Sequence, residues 1–441
     1  MIDPQIYSGL RLGLPDAPWR GKVLIIGAGI AGLSAAQILR KTGIDVQIIE
    51  ASDRWGGRIW SEKGFYNFAI ERGAEEIHGA NSVWYQLIQN YGFHCAEYYE
   101  ERDDYFLIEG LLRSESELED DQDLQKVFAL WDELEGYQAN PTQTLADFLL
   151  EKSVPPATKY IAEAFLEAEY GASVGKINLQ SFLEIHRKWQ SGEQNFMLTQ
   201  ASQTEVLEKI FENILPDIQL NQVVREIDYQ AEQIIIHCKS GQSYQADKVL
   251  LTVPVSILKT DLIRFKPTLP QTKQLAIEHI PMDTGMKIML KFTQAFWPDD
   301  MGSLYGPGLI PEFYTSAKDN TPILTAYIMG DKARQLSEMG QEKIITQALG
   351  ELGQLFHRGI TRQELEDYRI ADWGKEPYIQ GAYSHPGLNT EYHRKVLATP
   401  LDHKLYFAGE ATNDQGQAAT VQGAIESAYR AVLEILDKVV K

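Results

Sequence analysis

The apolar and polar positions divide the chain into blocks of different period. Lys22-Val23-Leu24-Ile25-Ile26 is a short, β-branched apolar run and predicts a buried strand. Leu33-Ser34-Ala35-Ala36-Gln37-Ile38-Leu39-Arg40 spaces its apolar residues as one face of a helix. Val46-Gln47-Ile48-Ile49 predicts a second strand, ending at Glu50. Further on, Val206, Leu207, Ile210, Phe211, Ile214 and Leu215 recur at helical spacing. Residues 218–227 and 233–237 read as strands, and 248–253 as a buried strand closed by Pro254. Leu405-Tyr406-Phe407-Ala408 is a last strand-like run, with a helix predicted from about Thr420. Residues 1–20 predict an irregular lead-in. From Glu97 the chain turns acidic, and helical patterns run to about Trp189, broken at Pro155-Pro156.

Gly27-Ala28-Gly29-Ile30-Ala31-Gly32 lies between the first strand and its helix. Strand, glycine turn, helix, strand, acid is the context in which G-x-G-x-x-G binds a dinucleotide. Gly27 permits the tight turn, Gly29 close backbone approach to a pyrophosphate, and Gly32 close packing of helix on sheet. The helix start at Ile30 and Ala31 offers free N–H groups and a partial positive charge. Glu50 is placed to accept hydrogen bonds from ribose hydroxyls.

Size and charge narrow the picture. The chain of 441 residues can hold two domains, each with a full core. A formal net charge of -21 argues against nucleic acid and suits a cationic partner. Two cysteines, Cys95 and Cys238, suit a reducing compartment. Met1-Ile2-Asp3-Pro4 lacks the basic start and apolar stretch of a signal peptide, and no run approaches the ~18 apolar residues of a membrane span. A cytoplasmic location is expected.

Glu50-Ala51-Ser52-Asp53-Arg54-Trp55-Gly56-Gly57-Arg58 resembles the E-A-x-x-R-x-G-G-R signature of the flavin amine oxidase superfamily. The resemblance implies that Gly56, Gly57 and Arg58 lie along the FAD pyrophosphate and ribityl chain. Phe407-Ala408-Gly409-Glu410-Ala411-Thr412 resembles the motif whose acid contacts the ribityl hydroxyls. Ala419-Thr420-Val421-Gln422-Gly423-Ala424 resembles the T-V-x-G-A that turns a helix N-terminus toward the flavin. The strand near Val224, with Val253, resembles the family's second FAD-binding segment.

The same resemblance assigns the chemistry. Lys287, in Gly285-Met286-Lys287 with Phe296-Trp297 downstream, implies a lysine that holds a water beside flavin N5, with Lys291 as its competitor. Trp373 through Tyr383 is similar to the W-x-x-x-P-x-x-x-G-x-Y-S stretch, whose tyrosine flanks the substrate amine. Ala382 stands where mitochondrial monoamine oxidases carry a flavin-linked cysteine, so FAD is expected without a covalent bond. Thr420 stands at the second tyrosine of their aromatic cage. Glu71-Arg72-Gly73-Ala74-Glu75-Glu76-Ile77-His78-Gly79 resembles the E-L-G-A-x-W-I-H-G of spermine and polyamine oxidases. There Gly73, Ala74 and Glu75 border the cofactor, and His78 lies in the substrate tunnel. Glu76 replaces the family tryptophan. An acid there repels a carboxylate and attracts a distal ammonium group, unless Glu75 and Glu76 face solvent or pair with Arg72.

The expected architecture is α/β: a Rossmann-like FAD-binding domain of the GR2, p-hydroxybenzoate-hydroxylase-like type, with an α+β substrate-binding domain. The first is expected from residues 21–95, 197–261 and 399–441, the second from 96–196 and 262–398. The expected activity is oxidation of spermine or spermidine: hydride transfer to flavin N5, imine hydrolysis, and reoxidation by O2 with release of H2O2. Lys287, Tyr383, His78 and Thr420 are the expected catalytic residues, and Glu75, Glu76 and Trp373 the substrate-binding ones. No metal is expected, and the chain is expected to be a monomer or weak homodimer. An L-amino-acid oxidase, a flavin desaturase of an apolar substrate and a flavoprotein scaffold are the alternatives.

Overall fold

Five short parallel strands run in the order Ile218–Gln219, Asp45–Ile49, Lys22–Ile26, Lys248–Leu251, Leu405–Phe407. The structure, a computed structural model, describes residues 4–15, 19–98, 102–134, 136–316 and 321–437. Met1–Asp3 and Tyr99–Glu101, on which parts of the sequence reading fell, lie outside the described residues. Parallel neighbours need long crossover connections, so this one sheet draws on three separated stretches of chain. Its centre is covered on both faces, which suits continuous apolar runs. Val23 and Ile25 pack with the helices Ile30–Lys41 and Val421–Ile435. Leu24 and Ile26 pack toward a four-stranded sheet, Ser243–Ala246, Ile234–Cys238, Val224–Asp228 and Arg264–Lys266. Val23, Leu24 and Ile25 are fully buried, worth about 1.5–3 kcal/mol each, so register here is strongly specified.

The second large unit is a seven-stranded mixed sheet in the order Leu365–Asp372, Gly285–Phe292, Ile323–Met329, Glu312–Thr315, Met301–Tyr305, Asp103–Ile108, Leu111–Ser114. Strand Gly285–Phe292 is apolar on both faces except at Lys287 and Lys291. Helices between Gln122 and Lys188 form a separate apolar core over Phe106 and Tyr305 of this sheet. No described helix is long and apolar enough to cross a membrane.

Three sequence expectations need correction. The lead-in contains a helix, Pro4–Leu12, because Ile6 and Leu10 reach the same core as the fingerprint helix. The stretch after Glu97 is not wholly helical: residues 103–108 and 111–114 form a hairpin that extends the seven-stranded sheet. Its burial alternates, with Asp104, Phe106 and Ile108 inside, so the acidic texture hid a period of two. Residues 218–227 are two strands in different sheets, separated at Asn221, whose φ is 60°.

Candidate functional site

A cavity of about 1780 Å³ runs between the parallel sheet and the seven-stranded sheet. All the predicted cofactor residues except Gly32 line it. Gly27 has φ 109°, and a Cβ there would lie 2.6 Å from Thr252 Oγ1. A Cβ on Gly32 would lie 2.1 Å from the Gly27 carbonyl oxygen, so the helix can sit this close only with glycine. Gly29 differs, because a Cβ there would meet only the Gly57 Cα, at 4.0 Å. No protein atom demands glycine at Gly29; the space beside it has the shape of a cradle for a ligand. The helix that follows, Ile30–Lys41, has no side-chain cap at Gly29. Its first N–H groups remain for an anion. The Ala28 N–H donates to Glu50 Oε2 at 2.7 Å, and Ser52 donates to Oε1 through its N–H at 2.9 Å and its hydroxyl at 2.8 Å. These residues fit a dinucleotide.

At the far side of the cleft Glu410 is buried and fully engaged. It accepts from Arg58 Nη1 at 2.9 Å, Ser384 Oγ at 2.5 Å and the Ala419 N–H at 3.0 Å. Burial alone would raise its pKa. The charges of Arg58 and Arg394 and the bonds from Ser384 and Arg58 outweigh burial and hold it below the usual carboxylate range. Arg58, expected along the FAD pyrophosphate and ribityl chain, commits Nη1 to Glu410 and to the Ala382 carbonyl at 2.8 Å. Thr420, expected to be catalytic, lines the cavity and also caps the last helix. Its hydroxyl accepts from the Gly423 N–H at 3.0 Å and donates to the Gln417 carbonyl at 2.7 Å.

Lys287 is buried and turned into the cavity, while Lys291, on the same face of the strand, pairs with Glu366 at 3.0 Å near the outer end. Lys287 Nζ donates to Glu75 Oε2 at 2.7 Å, and the Tyr314 hydroxyl donates to the same oxygen at 2.5 Å. Glu75 is therefore the internal partner of a buried lysine rather than a free acid, because a buried ammonium needs a countercharge. Arg72 pairs with Glu62 at 2.6 Å, not with Glu75 or Glu76. Tyr383 and Tyr327 line the cavity with their hydroxyls 2.9 Å apart, and the Tyr383 hydroxyl donates to the Ala168 carbonyl. Trp373 is buried edge-on to Trp60, its Nε1 donating to the Arg72 carbonyl at 2.9 Å.

His78 and Glu76 line the same space, with Nδ1 of His78 2.8 Å from Asn195 Oδ1 and 4.0 Å from Glu76 Oε2. Glu169, Glu312 and Asp104 join them. Burial, then the nearby charges of Glu76 and Asp104, push Glu312 up to about 8. Burial, then Glu115, Asp103 and Glu76, push Asp104 up to about 7, against the bond from the Ser303 N–H. Glu169 opens onto the cavity, and burial raises it too. Among the described residues, no group of three or more His, Cys, Asp or Glu is gathered closely enough to hold a metal ion.

The model of the family described as "Flavin containing amine oxidoreductase" matches residues 30–436. The chain belongs to this family. It is 29% identical to the human protein named lysine-specific histone demethylase 2, over 96% of this chain and 54% of that protein. It is 25% identical to polyamine oxidase 1 of Zea mays, over 92% of this chain and 88% of the relative. The chain spans about half the length of the human and mouse demethylases it matches. Among solved structures it resembles a putrescine oxidase bound to putrescine, with a TM-score of 0.80 and 21% identity over 95% of this chain and all of that one. A cyclohexylamine oxidase from Brevibacterium oxydans is similar at TM-score 0.79 and 20% identity, over 95% and 99% of the two chains. The solved amine oxidases share the α/β fold class, a Rossmann-like unit with a second unit, that the sequence led one to expect.

In this family member several cavity residues escaped the sequence reading. Tyr314 and Tyr327 sit on the strands Glu312–Thr315 and Ile323–Met329 and carried no motif. Glu312 and Asp104 carried no motif.

Proposed function

We propose that the protein oxidises a linear polyamine of the spermine or spermidine class, using FAD held without a covalent bond. One observation carries this reading: Glu76, Glu169, Glu312 and Asp104 face one cavity, and among the described residues no lysine or arginine forms an ion pair with any of them. Carboxylates gathered around one cavity without a cation raise one another's cost of ionisation, and a ligand with several ammonium groups removes that cost. An α-amino acid would bring its own carboxylate into the same field, which disfavours an L-amino-acid oxidase.

The residues fit FAD as follows. Gly29 and the N–H groups at Ile30 and Ala31 would take the pyrophosphate, Glu50 the ribose, and Val224 and Val253 the adenine end. Ala382 offers no thiol for a flavin bond. When bound, the flavin supplies a two-electron acceptor for the carbon beside the amine, and O2 regenerates it with release of H2O2. The faces of Tyr383 and Tyr327 orient the reacting amine, which enters neutral, so no side chain need act as an obligate base. Lys287 Nζ, fixed by Glu75, which Tyr314 holds in turn, is a donor that can hold the water that hydrolyses the imine. The products are an aminoaldehyde and a shorter amine.

The identity to the demethylases favours a second reading, in which a methylated lysine side chain is the amine. Aerobic incubation with spermine, spermidine, putrescine, benzylamine, L-leucine, L-arginine and a dimethyl-lysine peptide separates the two. We expect equal yields of H2O2 and aldehyde from spermine or spermidine, with benzylamine and the α-amino acids slower by tenfold or more. Turnover of the peptide alone would replace the first reading by the second.

A further inference from the structure

The cavity continues past Tyr327 across the seven-stranded sheet. Lys287 pairs with Tyr327, Tyr327 with Glu312, Glu312 with Tyr305, and Tyr305 with Phe106. Directly paired residues share a face, so these side chains form one row across four strand boundaries. Adjacent strands lie roughly 4.8 Å apart, a step comparable with the span of a short methylene chain between two nitrogens. Asp104 lies two residues before Phe106 on the same strand face.

The two acids on this path are only half used. Glu312 accepts from Ser303 Oγ at 3.1 Å and from the Tyr305 hydroxyl at 3.3 Å, both at Oε1. Its Oε2 has no partner among the described residues. Asp104 is 9% exposed, and Oδ1 accepts from the Ser303 N–H at 2.9 Å. Its Oδ2 has no partner among the described residues, and the side chain lines the cavity. Arg102, which also lines the cavity, donates instead to Thr315 Oγ1 at 2.6 Å. The space then reaches solvent past Asp103, Glu115, Glu119 and Asp300, of which the last three are exposed. These carboxylates are strung along the cavity and do not converge as metal ligands would.

We propose that Glu312 and Asp104 form a distal cation site that holds the far ammonium groups of a linear amine with three or more nitrogens, its reacting end lying at Tyr327 and Tyr383. This deepens, and rests on, the polyamine reading above. Glu312 is the nearer anchor, one strand from Tyr327, and Asp104 the farther, beyond the strand Met301–Tyr305. A diamine spans the first and falls short of the second. The exposed acids at the outer end draw the polycation in by its charge.

Titration calorimetry of the flavin-loaded protein with spermine and putrescine near neutral pH tests the site. We expect wild type to bind spermine at least tenfold more tightly than putrescine. Asp104→Asn and Glu312→Gln should each weaken spermine binding at least fivefold, and the loss in Asp104→Asn should be several times larger for spermine than for putrescine. Flavin content and thermal midpoint check that each variant is folded, and either variant alone suffices if the other is not. Unchanged spermine affinity in the folded variants, or equal losses for the two amines in Asp104→Asn, overturns the distal site. Spermine binding that depends on Asp104 without oxidation of spermine sustains the site and sinks the oxidation reading, so the two failures are distinct.

Discussion

Gly29 and Gly32 stand three residues apart and answer to different constraints. At Gly32 the neighbour is the protein's own backbone, 2.1 Å from a Cβ. At Gly29 the φ of -75° suits any residue and the surroundings are open. Gly32→Ala should therefore destabilise the apoprotein by about 1–3 kcal/mol. Gly29→Ala should leave apoprotein unfolding within about 0.5 kcal/mol of wild type while reducing flavin affinity at least tenfold. Urea unfolding of the stripped protein and flavin titration separate the two. A Gly29→Ala protein that retains full flavin affinity would contradict the cradle. Both glycines were legible from their spacing, because strand, turn and helix are contiguous in the chain. The position of Thr420 in a motif was legible too, whereas the bonds of its hydroxyl to Gly423 and Gln417 depend on the closed turn.

At the scale of elements, the row Lys287, Tyr327, Glu312, Tyr305 lines one wall of the cavity. Its members come from four strands that are distant in sequence, and their register is fixed only by the assembled sheet. Lys287 could be found because a lysine in an apolar strand is conspicuous. Glu312 and Asp104 could not, since acids in an acidic chain read as solvent-facing until the hairpin at residues 103–114 turns Asp104 inward. Their burial has a consequence for stability. The folded chain holds a proton on Glu312 up to about pH 8, whereas the ordinary carboxyl releases it near 4.5. Between those values the folded state binds more protons than the unfolded one, so this group makes stability fall as pH rises. The ligand-free protein should lose part of its thermal stability between pH 5 and pH 8. In Glu312→Gln that decline should be shallower, and added spermine at pH 8 should restore the wild-type midpoint. Parallel pH profiles for wild type and Glu312→Gln would show that Glu312 is ionised without penalty.

At the scale of the whole molecule, two sheets of different character meet along one cavity. The parallel sheet contributes glycine turns and helix N-termini, which suit phosphate and ribose. The seven-stranded sheet contributes aromatic walls and uncompensated carboxylates, which suit an amine carrying several charges. The nucleotide half was legible because its motifs are short and local. The amine-binding half depends on which acids end up facing inward, which composition alone could not tell. Following the visible flavin absorbance anaerobically, on mixing with spermine, spermidine, putrescine, benzylamine, L-arginine or L-leucine, tests this division most directly. Rapid bleaching by spermine or spermidine, with little from benzylamine or the α-amino acids, is the predicted result. Bleaching by an α-amino acid in preference to the polyamines, or by no amine at all, would contradict it.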